Sequence, residues 1–120
     1  MSIQKNNLLV STVMMSLDRV PVIGETMIFK EALEEMGRKR LGIAFIVNAQ
    51  KQLLGILTDG DIRRMLLRVQ KPFSAFFADD ALDHAIQSPL TIAPGDTLVH
   101  AVHLMGEKHI WDLPVVDASG

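Results

Sequence analysis

An internal repeat constrains this chain more than any other feature. Shifted against itself by 69 positions, the segment ETMIFKEALEEMGRKRLGIAFIVN (25–48) falls on PGDTLVHAVHLMGEKHIWDLPVVD (94–117). Ala32 meets Ala101, Met36 meets Met105, Gly37 meets Gly106, Lys39 meets Lys108, and Ile46-Val47 meets Val115-Val116. Identities and polarity recur together, which predicts two like supersecondary units that share a core.

Each copy opens with apolar residues at helical spacing: Ile28, Ala32, Leu33 and Met36 in the first, Leu98, Ala101, Val102 and Met105 in the second. Such a stripe is the buried face of an amphipathic helix. Thr97 is placed to cap the second helix, and Thr26 or Glu25 must serve the first. A short basic turn follows, then a dense β-branched run, Leu41 to Val47 and Leu113 to Val116, that reads as a buried strand. In the first copy the polar turn 49–52 leads into a second strand, Leu53 to Leu57, and a second helix, Asp61 to Val69, with Ile62, Met65 and Leu66 on one face. Val20 to Ile23 and Leu90 to Ala93 are placed to add an edge strand to each unit. The expected fold is α/β (α+β): tandem β-α-β-β-α repeats, each a small sheet with two helices. The second repeat stops at Asp117 to Gly120, where the first begins its hairpin, so its last strand and helix are expected to be cut off. The expected organisation is a linker remnant at 1–8, a first repeat at 9–70, an inter-repeat linker at 71–80 and an incomplete second repeat at 81–120.

Composition removes several functions. A net charge of -2, with basic clusters only at Arg38-Lys39-Arg40 and Arg63-Arg64, offers no field suited to a phosphate backbone, so nucleic acid is not expected as a partner. The absence of cysteine removes disulfides, thiolate catalysis and Cys-based zinc sites. No apolar run approaches the roughly 20 residues of a membrane-spanning helix and no secretory pattern opens the chain; no membrane partner and a cytoplasmic location are expected. No nucleophile–base set or phosphate-cradling glycine loop with its lysine is present, so no catalytic residues are assigned and no enzyme activity is expected of this fragment.

Two strings then carry a family resemblance. Leu53-Leu54-Gly55-Ile56-Leu57-Thr58-Asp59-Gly60-Asp61-Ile62-Arg63-Arg64 contains Gly-apolar-apolar-Thr-x-x-Asp between a strand and a helix, and Val13-Met14, Met36, Thr97-Leu98, Met105 and Leu113-Pro114-Val115-Val116-Asp117 accompany it. Together they resemble a pair of cystathionine-β-synthase-type (CBS) domains over nearly all of residues 9–120. With Leu8-Leu9-Val10-Ser11-Thr12-Val13-Met14, the chain is most similar to the C-terminal regulatory module of the arabinose-5-phosphate isomerase family of sugar-phosphate isomerases. A similar Thr-Asp-Gly-Asp-x-Arg-Arg string occurs in CBS pairs ahead of sugar nucleotidyltransferase domains, which keeps that parent open. The resemblance implies a module that senses an adenine or cytidine nucleotide or a nucleotide-sugar and modulates a parent isomerase domain, with no resident cofactor. It also implies a homodimer through the module. The alternative is a structural oligomerisation module that binds no ligand.

The motif has a physical reading beside the resemblance. Unpaired N–H groups at the helix start, with the Thr58 hydroxyl, can hold a phosphate; the Asp61 carboxylate, an acceptor only, suits the two hydroxyls of a sugar diol. Thr58 or Asp59 can equally be a plain helix cap. Gly60 either permits close approach or a positive φ, or is an ordinary turn glycine. Arg63 and Arg64 either grip an anion, Arg64 being the one assigned to the site, or lie on a solvated face. Ile43-Ala44 and Leu113-Pro114 fall where the family's strands line a cleft, or are plain core. The candidate ligand site is therefore Thr58, Asp59, Gly60, Asp61 and Arg64, with Ile43, Ala44, Leu113 and Pro114.

His100, His103 and His109 cluster on or after one helix, but without cysteine or a second carboxylate beside Glu107 no metal site is assigned. Trp111 is expected to pack under the second repeat rather than stack on a base. Phe73, Phe76 and Phe77 are more than a short linker can bury alone, which points to a dimer or parent-domain contact.

Overall fold

The computed structural model describes residues 8–68 and 71–120. The lead-in expected at 1–7, and Val69 at the end of the expected second helix, lie outside the described residues. The chain divides into two compact units, residues 16–89 and residues 8–15 with 90–120. These units follow packing and do not coincide with the repeat bounds of 9–70 and 81–120 read from the sequence.

In the larger unit, β1 (Val22–Gly24), β2 (Ile43–Val47) and β3 (Leu53–Thr58) form a sheet in that order. β1 runs parallel to β2, with Ile23 opposite Ile46, and β3 runs antiparallel to it, with Ile43 opposite Thr58. The hairpin between β2 and β3 is closed by Asn48, whose side-chain oxygen accepts the N–H groups of Gln50 (3.0 Å) and Gln52 (2.9 Å). That is the local turn chemistry for which asparagine is favoured. Two helices complete the unit, α2 (Phe29–Lys39) and α3 (Asp59–Arg68), a short helix α1 (Val10–Val13) preceding them in the chain. Phe29, Ala32 and Met36 are the buried stripe of α2, and they meet Ile23, Ala44, Ile46, Leu57 and Met65 in one core.

Neither Thr26 nor Glu25 caps α2. The cap position is Ile28, whose side chain accepts nothing, and the free N–H groups are satisfied from a distance in sequence. Phe29 N–H donates to the Asp79 carbonyl (2.7 Å) and Lys30 N–H to the Phe77 carbonyl (3.2 Å). The 71–85 segment is fastened there by its side chains as well. The Asp79 carboxylate accepts from Lys71 Nζ (2.7 Å) and pairs with His84 Nε2 (2.7 Å). The His84 ring stands edge-on to Phe29 and Phe76 at 5.3 and 5.7 Å between centroids. Phe76 is only 1% exposed and belongs to the core, and Phe77 packs against it half-buried. The expectation that these phenylalanines need a partner surface is therefore corrected for both: they are covered within this unit, where Phe76 joins the core that α2 helps to form, while the Phe73 side chain lies outside the described residues.

The smaller unit is built on α4 (Leu98–Lys108), around Val10, Ile92 and Ala101. Thr97 caps α4, its hydroxyl accepting from His100 N–H at 3.1 Å. Leu98 N–H donates to the Leu8 carbonyl (2.8 Å) and Val10 N–H to the Asp96 carbonyl (2.8 Å), which ties 8–11 to this unit. The strand expected at Leu113–Val116 is reduced to one parallel bridge, Val115 with Ile92. β2 is held on both sides, whereas 113–116 has a backbone partner on one side only among the described residues.

The 69-residue shift holds in three dimensions. It carries α2 onto α4 residue for residue, the cap Ile28 onto Thr97, the pair Ile23–Ile46 onto Ile92–Val115, and Arg40 onto His109. Arg40 (φ 57°) and His109 (φ 55°) both end their helices in the left-handed conformation, a helix stop usually given to glycine.

Candidate functional site

The site is the junction where β3 passes into α3. Thr58, the last residue of β3, takes the cap position and Asp61 sits in the first turn, so a three-residue step brings their side chains together. The Thr58 hydroxyl accepts the Asp61 N–H (3.2 Å) and donates to Asp61 Oδ2 (2.7 Å). Arg64, one turn on, donates from Nη2 to Asp61 Oδ1 (2.7 Å). Both carboxylate oxygens thus hold an internal partner, while the Asp61 side chain stays 19% exposed and Arg64 61%.

The neighbouring residues are arranged by backbone contacts. Asp59 N–H donates to the Gly42 carbonyl (3.0 Å), tying the start of α3 to the start of β2. The Asp59 carboxylate fills the space where a side chain at Gly42 would stand: a Cβ there would lie 2.5 Å from Oδ2. Gly60 has no positive φ, so that reading is corrected; it is a helical residue. Its bare surface is covered by the Arg64 guanidinium, 3.2 Å from where a Cβ would be. Arg63 is exposed.

Asp59 also lines an open depression of about 320 Å³ with Leu33, Met36, Gly37, Arg40, Leu41 and Gly42. A second, of about 430 Å³, is lined in the smaller unit by Val102, Met105, Gly106, His109, Ile110 and Trp111. Those six are the 69-residue counterparts of the first six. Arg40 and Gly42 had no signal in the sequence, because a left-handed arginine and a glycine emptied for an aspartate 17 residues on look like ordinary turn residues.

The remaining candidates are placed as follows. Ile43 and Ala44 are buried, 3% and 0% exposed, with Ile43 paired to Thr58 through the sheet. Pro114 is buried in the smaller unit, where its carbonyl accepts Ile92 N–H (3.0 Å), and Leu113 packs half-buried beside that unit's core. Trp111 is 92% exposed, which corrects the expectation that it packs under the second repeat; it occupies the place of Gly42 in the repeat, on the rim of its depression. The histidines pair locally, His100 with Asp96 (2.7 Å) and His103 with Glu107 (3.1 Å). No group of three metal-ligating side chains occurs among the described residues, and no described helix is long and apolar enough to cross a membrane. The His100 ring and the Thr97 N–H, bonding to Asp96, hold its carboxyl below the usual aspartate range.

Paired helix-and-strand repeats, with a Thr-x-x-Asp cap at a strand–helix junction, define a class of small α/β repeat modules. The CBS domain model matches residues 10–68, and that segment belongs to the CBS-domain family. Among solved structures it is similar to CBSX2 of Arabidopsis thaliana in complex with AMP, 26% identical with a TM-score of 0.80, covering 94% of this chain and 84% of that one. A CBS domain protein of Pyrobaculum aerophilum, complexed with AMP, shares the fold at 22% identity and a TM-score of 0.76, covering 94% and 82%. Arabinose 5-phosphate isomerase KdsD of Escherichia coli (strain K12) is 32% identical over 110 residues, 92% of this chain and 32% of that protein. The chain spans about a third or less of the length of the curated relatives it matches.

Proposed function

We propose that this chain is a ligand-sensing regulatory module of a sugar-phosphate isomerase of the arabinose-5-phosphate isomerase kind, binding an adenine or cytidine nucleotide or a nucleotide-sugar. The observation that carries the reading is the Thr58–Asp61 pair, a carboxylate oriented by the cap and still partly open to solvent. Asp61 accepts the hydroxyls of the sugar, the start of α3 with Thr58 faces the phosphate, and Arg64 and the backbone of Asp59 and Gly60 frame it. Ile43 and Ala44, buried in β2, brace the end of β3 that carries Thr58. AMP in complexes of similar fold supports the nucleotide, and the likeness to KdsD supports the parent. Regulation then follows if the ligand prefers one arrangement of a cytoplasmic homodimer over another and so biases the attached catalytic domain.

A thermal-shift series tests it, with AMP, CMP, a CMP-linked sugar acid and arabinose 5-phosphate at about 1 mM on the wild type and Asp61→Ala. A ligand held only by the folded state raises the melting temperature. The expected result is a rise with one nucleotide class that disappears in Asp61→Ala. A second reading, a structural module that binds nothing, is favoured by the internal partner that each Asp61 oxygen already has, in Thr58 and Arg64; it predicts no shift with any of the four.

A further inference from the structure

Arg64 stands at the junction in a way that the cap does not require. Thr58 and Asp61 complete their reciprocal bonds without it. Two of the first three N–H groups of α3 are used inside the fold, Asp59's on Gly42 and Asp61's on Thr58; the third belongs to Gly60. The Arg64 guanidinium lies over Gly60 and holds the remaining carboxylate oxygen, Oδ1. One side chain therefore covers both the acceptor and the bare backbone that a ligand would have to approach. The cover is removable, because Arg64 is 61% exposed and is fixed only by a one-turn ion pair.

We infer that Arg64 is an internal competitor for Asp61, and that the site selects ligands carrying both a neighbouring pair of hydroxyls and an anionic group. The inference rests on the reading of this junction as a ligand site. A diol displaces the guanidinium from Oδ1, as its hydroxyls donate where Nη2 did. The released guanidinium is left without a counter-charge, and a phosphate or carboxylate on the same ligand supplies one in bidentate geometry. A neutral diol breaks the ion pair and returns nothing to Arg64. The module thus discriminates a phosphorylated sugar diol from its dephosphorylated product.

Titration calorimetry of the 120-residue chain with AMP and with adenosine, on the wild type, Arg64→Ala and Asp61→Asn, tests the inference. Alanine on an exposed helix position preserves the fold. Removing the competitor should tighten adenosine about two- to five-fold, the worth of an exposed ion pair, and the preference for AMP over adenosine should fall toward one. Adenosine binding by Arg64→Ala alone also supports competition. Unchanged or weaker adenosine binding in Arg64→Ala, with AMP still held in an Asp61-dependent way by the wild type, overturns the inference and leaves the site reading standing. Tighter adenosine with an unchanged AMP preference overturns the anion-capture half. No binding of either ligand by wild type or Arg64→Ala, or AMP binding indifferent to Asp61→Asn, overturns the site reading and the inference with it.

Discussion

Thr58 does two jobs with one hydroxyl, accepting the Asp61 N–H and donating to its carboxylate. Thr58→Val keeps the shape and removes both bonds, and should cost about 1 kcal/mol in urea denaturation, the usual worth of a helix cap. Gly42 illustrates a residue whose meaning depends on a distant neighbour. In an Asp59→Ala background, Gly42→Ala should stabilise by about 0.4–1 kcal/mol through the unfolded chain. In the wild type the same change meets the Asp59 carboxylate and should stabilise less. A double-mutant cycle measures that conflict. Thr58 and Asp61 were legible in the sequence because a cap acts within one turn of its own chain. The empty space at Gly42 was not, because what fills it arrives from the far end of a hairpin.

At the scale of elements, α2 shows where local rules stop. Its buried stripe is legible from spacing, yet its first N–H groups are satisfied by carbonyls of Phe77 and Asp79, about 50 residues away. Phe76 seats that segment, and Phe76→Ala should cost about 3–5 kcal/mol, the range for emptying a buried aromatic position; its urea midpoint should not depend on protein concentration, as it would if the ring were a dimer contact. Asp79 carries a pH signature. Hydrogen bonds from Lys71 and then His84 hold its carboxyl below the ordinary value of 3.8. A lowered native value means that its contribution is complete above the unfolded value and is lost as pH falls through the native one. Wild type should therefore lose stability below about pH 4 that Asp79→Asn does not, and urea midpoints measured from pH 6 to pH 3 should converge.

At the scale of the whole molecule, the packing units cut across the repeats. Among the described residues, every backbone hydrogen bond that ties 8–11 to a later element ends at 94–98, in the smaller unit. Deleting residues 1–15 should therefore abolish amide-exchange protection at Leu98 and Ile92 while leaving Ile46 and Leu57 protected, as exchange mapped by NMR would show. The sequence alone determined the repeat, its 69-residue period, the order of helix and strand within it, and the Thr58–Asp61 junction, because periodicity, capping and turn chemistry act over a few residues. Tertiary structure decided which segment caps which helix, that Phe76 lies in the core and Trp111 outside it, and that Arg64 lies across Gly60. Those outcomes depend on which apolar surfaces and unpaired N–H groups meet once the chain has folded back, and no local pattern records that.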